Sequence, residues 1–120
     1  MDCLTLSGRS ILIVEEDTLV ALRLEDELHR AGARTLGARR LHEALHLAEH
    51  PALAAAVVNL RLGSDSTMQV CRRLAQLGIP FMFHTRYDAA EARRTWPDVP
   101  VVSKPADSQL VVRSVARLLH

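Results

Sequence analysis

Five short segments rich in β-branched and other apolar residues recur along the chain, and each gap between them is long enough for one helix. The first, Ile11 to Val14, is an unbroken apolar run that stops abruptly at Glu15, Glu16 and Asp17. A run of this kind is a strand buried on both faces, as in a parallel sheet. Leu53 to Leu60 is apolar until Asn59, Ile79 to Thr85 carries the fourth strand, and Val99 to Ser103 the fifth. Arg34 to Ala38 is a weaker second strand.

Helical spacing fills the gaps. Val20, Leu24, Leu28 and Ala31 form a buried stripe that Thr18 can cap and Gly32 closes. Leu41, Leu45 and Ala48 mark a second helix, stopped by Pro51. After a loop at Gly63 and Ser64, Thr67 to Leu77 is a third, with Val70, Leu74 and Leu77 inward and Gly78 at its end. Asp88 to Thr95 is a short fourth helix. Asp107 to Leu119 is the last, with Leu110, Val111, Val115 and Leu118 on the core side. Alternating strands and helices predict an α/β fold, a doubly wound five-stranded parallel sheet of order 2-1-3-4-5, in one domain spanning residues 1–120.

The bulk properties agree. The 120 residues are 48% hydrophobic and 24% charged, with formal net charge +1, so no strong field draws nucleic acid or an anionic membrane. Cys3 and Cys71 have no metal-type spacing. No secretory signal is expected at the start, and the longest apolar run is too short to span a bilayer. A cytoplasmic location is the expectation.

In doubly wound sheets, ligands sit beyond the carboxyl ends of the strands, near the point where the winding reverses. That rule selects Glu15 to Asp17, Asn59 to Arg61, Thr85 and Lys104. Carboxylates with a backbone carbonyl suit a hard cation such as magnesium. A hydroxyl and a lysine suit phosphoryl oxygens. Two glutamates about 4 Å apart would repel by roughly 4 kcal/mol at an effective dielectric of 20, so Lys104 or a cation is expected beside them.

The segments Ile-Leu-Ile-Val-Glu15-Glu16-Asp17, Ala-Val-Val-Asn59-Leu-Arg-Leu-Gly63, Phe-His-Thr85 and Ser-Lys104-Pro105 resemble, in order and spacing, the four signature segments of response-regulator receiver domains. Pro80 to Tyr87 also resembles the Pro-Phe-x-Phe-Ala-Thr-Gly-Tyr motif of a group of single-domain receivers, with His84 and Arg86 departing from it. The resemblance implies a (βα)5 flavodoxin-like fold, two-component signalling and no enzyme activity of its own. It implies that residue 59 is the phosphoacceptor position and that Thr85 and Lys104 contact phosphoryl oxygens. It further implies a magnesium site of Glu15, Glu16, Asn59 and the Arg61 backbone carbonyl.

Asn59 breaks that chemistry. A carboxamide is neutral and forms no stable acyl phosphate, and the metal site loses an acidic ligand. Magnesium binding is therefore expected to be weak or absent. Two function classes follow. One is a pseudo-receiver acting by contact with a histidine kinase or another signalling protein. The alternative is a phosphorelay receiver in which Asn59 replaces the acceptor aspartate by engineering. The resemblance also implies a partner or homodimer face made by the fourth helix, fifth strand and last helix. Val112, off the core side, with Tyr87 and Trp96 would contribute to it; the blander reading has Trp96 covering the sheet and Val112 simply exposed.

Other motifs have plain alternatives. His42-Glu43-Ala44-Leu45-His46 spells the zinc-protease pattern H-E-x-x-H, and His50 extends that face. Leu41, Leu45 and Ala48 claim the core side, however, which leaves a solvated histidine face as the expectation. Asp65 would be a surrogate phosphoacceptor only if it reached the pocket, and it is displaced into the loop. Asp17 is more a helix cap than a metal ligand. His84 could couple the site to pH, but an outward position at a strand end is the expectation. Direct transcriptional output through a DNA-binding element is not expected, and no glycine-rich phosphate loop follows the first strand.

Overall fold

The computed structural model describes residues 5–86, 89–104 and 107–120. Among the described residues, twelve elements follow one another. They are β1 (Ser10–Val14), α1 (Thr18–Arg30), β2 (Arg34–Ala38), α2 (Leu41–Leu47), β3 (Leu53–Val58), β4 (Arg61–Leu62), β5 (Asp65–Ser66), α3 (Met68–Gln76), β6 (Phe81–Thr85), α4 (Ala90–Thr95), β7 (Val101–Ser103) and α5 (Ser108–Leu119). One parallel sheet has the order β2-β1-β3-β6-β7. Counting only its own strands, this is the expected 2-1-3-4-5.

Strand alternation divides the core into two layers. Leu12, Val14, Ala56, Val58, Phe81 and Phe83 face α2, α3 and α4, where Ala44, Val70, Leu74 and Ala92 meet them. Ile11, Ile13, Val57 and Met82 face α1 and α5 and pack on Leu24, Leu28, Val111 and Val115. Ile11–Val14, Leu53–Val58 and Phe81–Phe83 are apolar because both faces of the sheet are covered there.

Local chemistry sets the helix ends. Asp17, not Thr18, is the N-cap of α1; its Oδ1 accepts from Leu19 N at 2.9 Å and Val20 N at 3.2 Å. At the other end Gly32, at φ 93°, donates to His29 O, and Ala33 N donates to Leu28 O. This is the paired C-terminal bond pattern that needs a left-handed residue. A Cβ on Gly32 would sit 2.9 Å from Ser7 Cα, so only glycine fits. Asp107 caps α5 by accepting from Gln109 N at 2.9 Å.

Several boundaries differ from expectation. The third strand ends at Val58, and the fourth and fifth begin at Phe81 and Val101. The expected loop at Gly63 is a small antiparallel hairpin of β4 and β5. The short fourth helix begins at Ala90, and Asp88, Tyr87, Pro105 and Cys3 lie outside the described residues. Leu77 and Leu110, expected inward, are 40% and 45% exposed. Leu77 is the C-cap of α3, past its last buried turn, and Leu110 lies about 100° around α5 from Val111. Val112 is half-buried against the α1–α5 layer rather than off the core side. Trp96 is half-buried with its ring edge-on to Phe81, centroids 5.3 Å apart, so it covers the sheet.

Candidate functional site

Parallel register brings the selected residues together. Val14 pairs with both Ala38 and Val58, and Thr85 pairs with Ser103. The first residue past each strand end is then held by the neighbouring strand. Glu15 N donates to Ala38 O at 3.0 Å, Asn59 N to Val14 O at 2.9 Å, and Lys104 N to Thr85 O at 2.7 Å. Glu15, Asn59 and Lys104 thus stand together at the carboxyl end of the sheet. Glu15, Asn59 and Thr85 are 2%, 3% and 1% exposed.

The charges there are answered within the chain. Lys104 Nζ lies 2.5 Å from Glu15 Oε1, with the two side chains 7% and 2% exposed. The other Glu15 oxygen accepts from Asp17 N at 3.0 Å and from Asn59 Nδ2 at 3.4 Å. The Asn59 amide turns its NH2 toward the carboxylate, and its Oδ1 is buried without a partner.

Glu16 points elsewhere. Its Oε2 accepts from Gly63 N at 2.6 Å, which fastens the β4–β5 hairpin to the β1–α1 turn. Gly63 has φ 64°, the left-handed region that a two-residue hairpin turn favours. Thr67 holds the base of that hairpin: its Oγ1 donates to Asn59 O at 2.6 Å, and its N–H donates to Leu60 O. Arg61 is exposed in β4, with its guanidinium 3.5 Å from Ser64 O. Asp65, on β5, is exposed and lies on the α2 side of the hairpin with Glu16 and His42. A cavity of about 210 Å³ remains between Glu15, Glu16, Asp17, Asn59, Arg86 and Lys104.

Asp17 faces this cavity while capping α1. The Val20 N–H, then that of Leu19 and the charges of Lys104 and Arg86, hold its carboxyl below the ordinary carboxylate range. Arg86 reaches to 4.0 Å from Asp17 Oδ2. Neither Arg86 nor the tethering threonine Thr67 was selected from the sequence. The strand-end rule stops at Thr85, and nothing in the sequence announces that Thr67 bonds back across eight residues.

His84 overturns an expectation. It is 4% exposed, not outward, and neither ring nitrogen has a partner. Its neighbours Phe83 and Thr85 face the α2–α4 side, so alternation sends its ring to the α1–α5 side, which α5 covers. Burial, and secondarily the charge of Lys104, pull its pKa down to about 4.

The H-E-x-x-H motif dissolves into a cap. Glu43 Oε1 accepts from Arg39 N at 3.1 Å and Arg40 N at 3.3 Å, satisfying backbone donors at the start of α2. His42 and His46 are exposed. Among the described residues, no three His, Cys, Asp or Glu side chains converge on a point that could hold a metal ion. Cys71 is buried and free, and burial pushes its thiol up to about 12.

Solved structures match this architecture over nearly its full length. A response regulator receiver protein from Sinorhizobium medicae superposes with TM-score 0.84 at 22% identity, covering 92% of this chain and 94% of that one. The non-phosphorylated HemR receiver domain from Leptospira biflexa gives 0.83 at 23% identity, covering 93% and 94%. The signal receiver domain of a modulated diguanylate cyclase from Desulfovibrio desulfuricans gives 0.79 at 26% identity, covering 92% and 93%. No protein-family model and no curated protein sequence matches the chain. The fold is that of receiver domains.

Proposed function

We propose that this chain is a two-component receiver-like module that is not phosphorylated at Asn59 and signals by protein–protein contact. One observation carries the reading. At the strand end where receivers present an acceptor carboxylate, a buried carboxamide donates to Glu15, and Lys104 is already paired with that same glutamate. Phosphoryl transfer depends on an anionic nucleophile, a cation and positioned donors. Here the nucleophile is neutral and the lysine is engaged.

The donor set also does not fit a magnesium ion as arranged. Both Glu15 oxygens have partners, Glu16 is committed to the hairpin backbone, and Asn59 brings no charge. A six-coordinate hard cation needs converging oxygens with net negative charge. The partner would be a histidine kinase or another signalling protein, met in the cytoplasm, and the chain would have no catalytic activity of its own. A face built from α4, β7 and α5 serves such contacts less well than expected, because Val112 and Trp96 are half-buried in the core layers.

The test is chemical. The parent chain, incubated with acetyl phosphate and magnesium and weighed intact, should gain no phosphoryl group. Asn59→Asp should gain one, since Thr85 and Lys104 still stand at the strand ends. A stable adduct on the parent would defeat the proposal.

A further inference from the structure

A second cavity, of about 590 Å³, opens on the α1–α5 side of the sheet. Val20 and Leu24 of α1 supply apolar wall, and His84 of β6 lines it. Arg23, Arg86 and Lys104 make it cationic. Its carboxylate, Asp107, already accepts from Gln109 N as the cap of α5.

Two observations mark it as more than surface relief. The first is charge. Lys104 is answered by Glu15 and Arg86 by Asp17, but Arg23 has no ion pair among the described residues. The second is His84. An apolar residue would fill that position without cost, as Met82 does two residues earlier in the same layer. A histidine there leaves two ring nitrogens buried and unpartnered. Buried polar groups without partners are rare enough in folded proteins to call for a reason, and a group supplied from outside the chain is one.

We propose that this cavity binds a small amphipathic carboxylate, its anion between Arg23 and Arg86 and its apolar body against Val20 and Leu24, with a polar atom at the imidazole of His84. In the bound state the ring is turned about its Cβ–Cγ bond so that one nitrogen faces the ligand. Lys104 lines both this cavity and the strand-end pocket, so occupancy here is felt at the Lys104–Glu15 pair. A ligand of this class would give the module an input that needs no phosphoacceptor. The binding itself stands apart from the signalling role proposed above.

The experiment titrates the full chain with benzoate, and separately with benzyl alcohol, which has a similar body and no charge. Histidine ring resonances are followed by proton–carbon correlation, with His84 assigned from the spectrum of His84→Gln. Benzoate should shift the His84 resonance saturably with Kd in roughly the millimolar range, as suits so small a ligand. Benzyl alcohol should bind about tenfold more weakly, one anion contact being of that order. Arg23→Gln, an exposed change, should weaken benzoate about tenfold and leave the melting temperature unaltered. The proposal is overturned if His84 does not respond saturably, if only the exposed histidines respond, if benzyl alcohol binds as tightly as benzoate, or if Arg23→Gln has no effect.

Discussion

Lys104→Met tests whether the strand-end pocket is held together by its own ion pair. The substitution keeps most of the side-chain volume and removes the ammonium that lies 2.5 Å from Glu15 Oε1. Both partners are nearly closed off from water, so the small values typical of surface pairs do not apply. Removing one member of a buried pair costs about 3–5 kcal/mol, because the other charge stays behind uncompensated. Glu15 keeps two donors, Asp17 N and Asn59 Nδ2, which offset part of that loss. A destabilisation of about 2–3 kcal/mol is expected on these grounds. For a domain of this length it should lower the melting temperature by roughly 10 °C.

Urea unfolding, read by both far-ultraviolet dichroism and Trp96 fluorescence, gives the free energies, provided the two probes coincide. Glu15→Gln alone should also destabilise, by stranding Lys104. The double variant Glu15→Gln/Lys104→Met removes both charges and should recover about 1 kcal/mol or more relative to the sum of the single effects. Loss of less than about 1 kcal/mol in Lys104→Met, or strict additivity in the cycle, would refute the claim that the pocket is internally neutralised.

Four further outcomes are expected. Acetyl phosphate should label Asn59→Asp and leave the parent unlabelled by intact mass. Millimolar magnesium should leave the parent's melting temperature unchanged, whereas a rise would mean that a cation site exists after all. His84 is neutral in the fold with its pKa lowered to about 4, while the unfolded chain protonates it near 6.5. Its contribution is therefore full above pH 6.5 and is lost as pH falls toward 4, by up to about 3 kcal/mol, and His84→Leu should flatten the stability profile over that window. Glu43→Ala should lower the melting temperature slightly through the lost cap at α2, with no change in zinc content by elemental analysis.

Strand order and most of the core were legible because the apolar signal recurs in the central strands, though only weakly in Arg34–Ala38. Ile11–Val14 and Leu53–Val58 can be apolar on both faces only if both faces are covered, and with only five strands in 120 residues that requirement points to an open doubly wound sheet and not to an eight-stranded barrel. What failed was whatever depended on one residue's azimuth or on a contact between distant loops. Leu77 and Leu110 read as core because leucines at near-helical spacing fit a stripe, yet each sits at the margin of its helix. The β4–β5 hairpin has only two residues per strand, too few for alternation to register. His84 was misread because it adjoins a strand-end site. Alternation turns it away from the Phe83 side, and in a sheet covered on both faces that other side is also inside.

The site itself was legible as a location and not as a state. The strand-end rule named Glu15, Asn59, Thr85 and Lys104, and parallel register gathers them as it must. It could not say how their charges would be partitioned. With a carboxylate at position 59 the pocket would hold four acids, Glu15, Glu16, Asp17 and residue 59 itself, against Lys104 and Arg86, and those two cations could satisfy only part of the negative charge. A carboxamide changes the balance. Asn59 donates to Glu15 on one side while Lys104 closes on the other, and Glu16 is left free to tie down Gly63. The neutral residue therefore does more than delete a nucleophile. It turns a cluster whose charge demands an external cation into one whose ion pair and hydrogen bonds close on themselves.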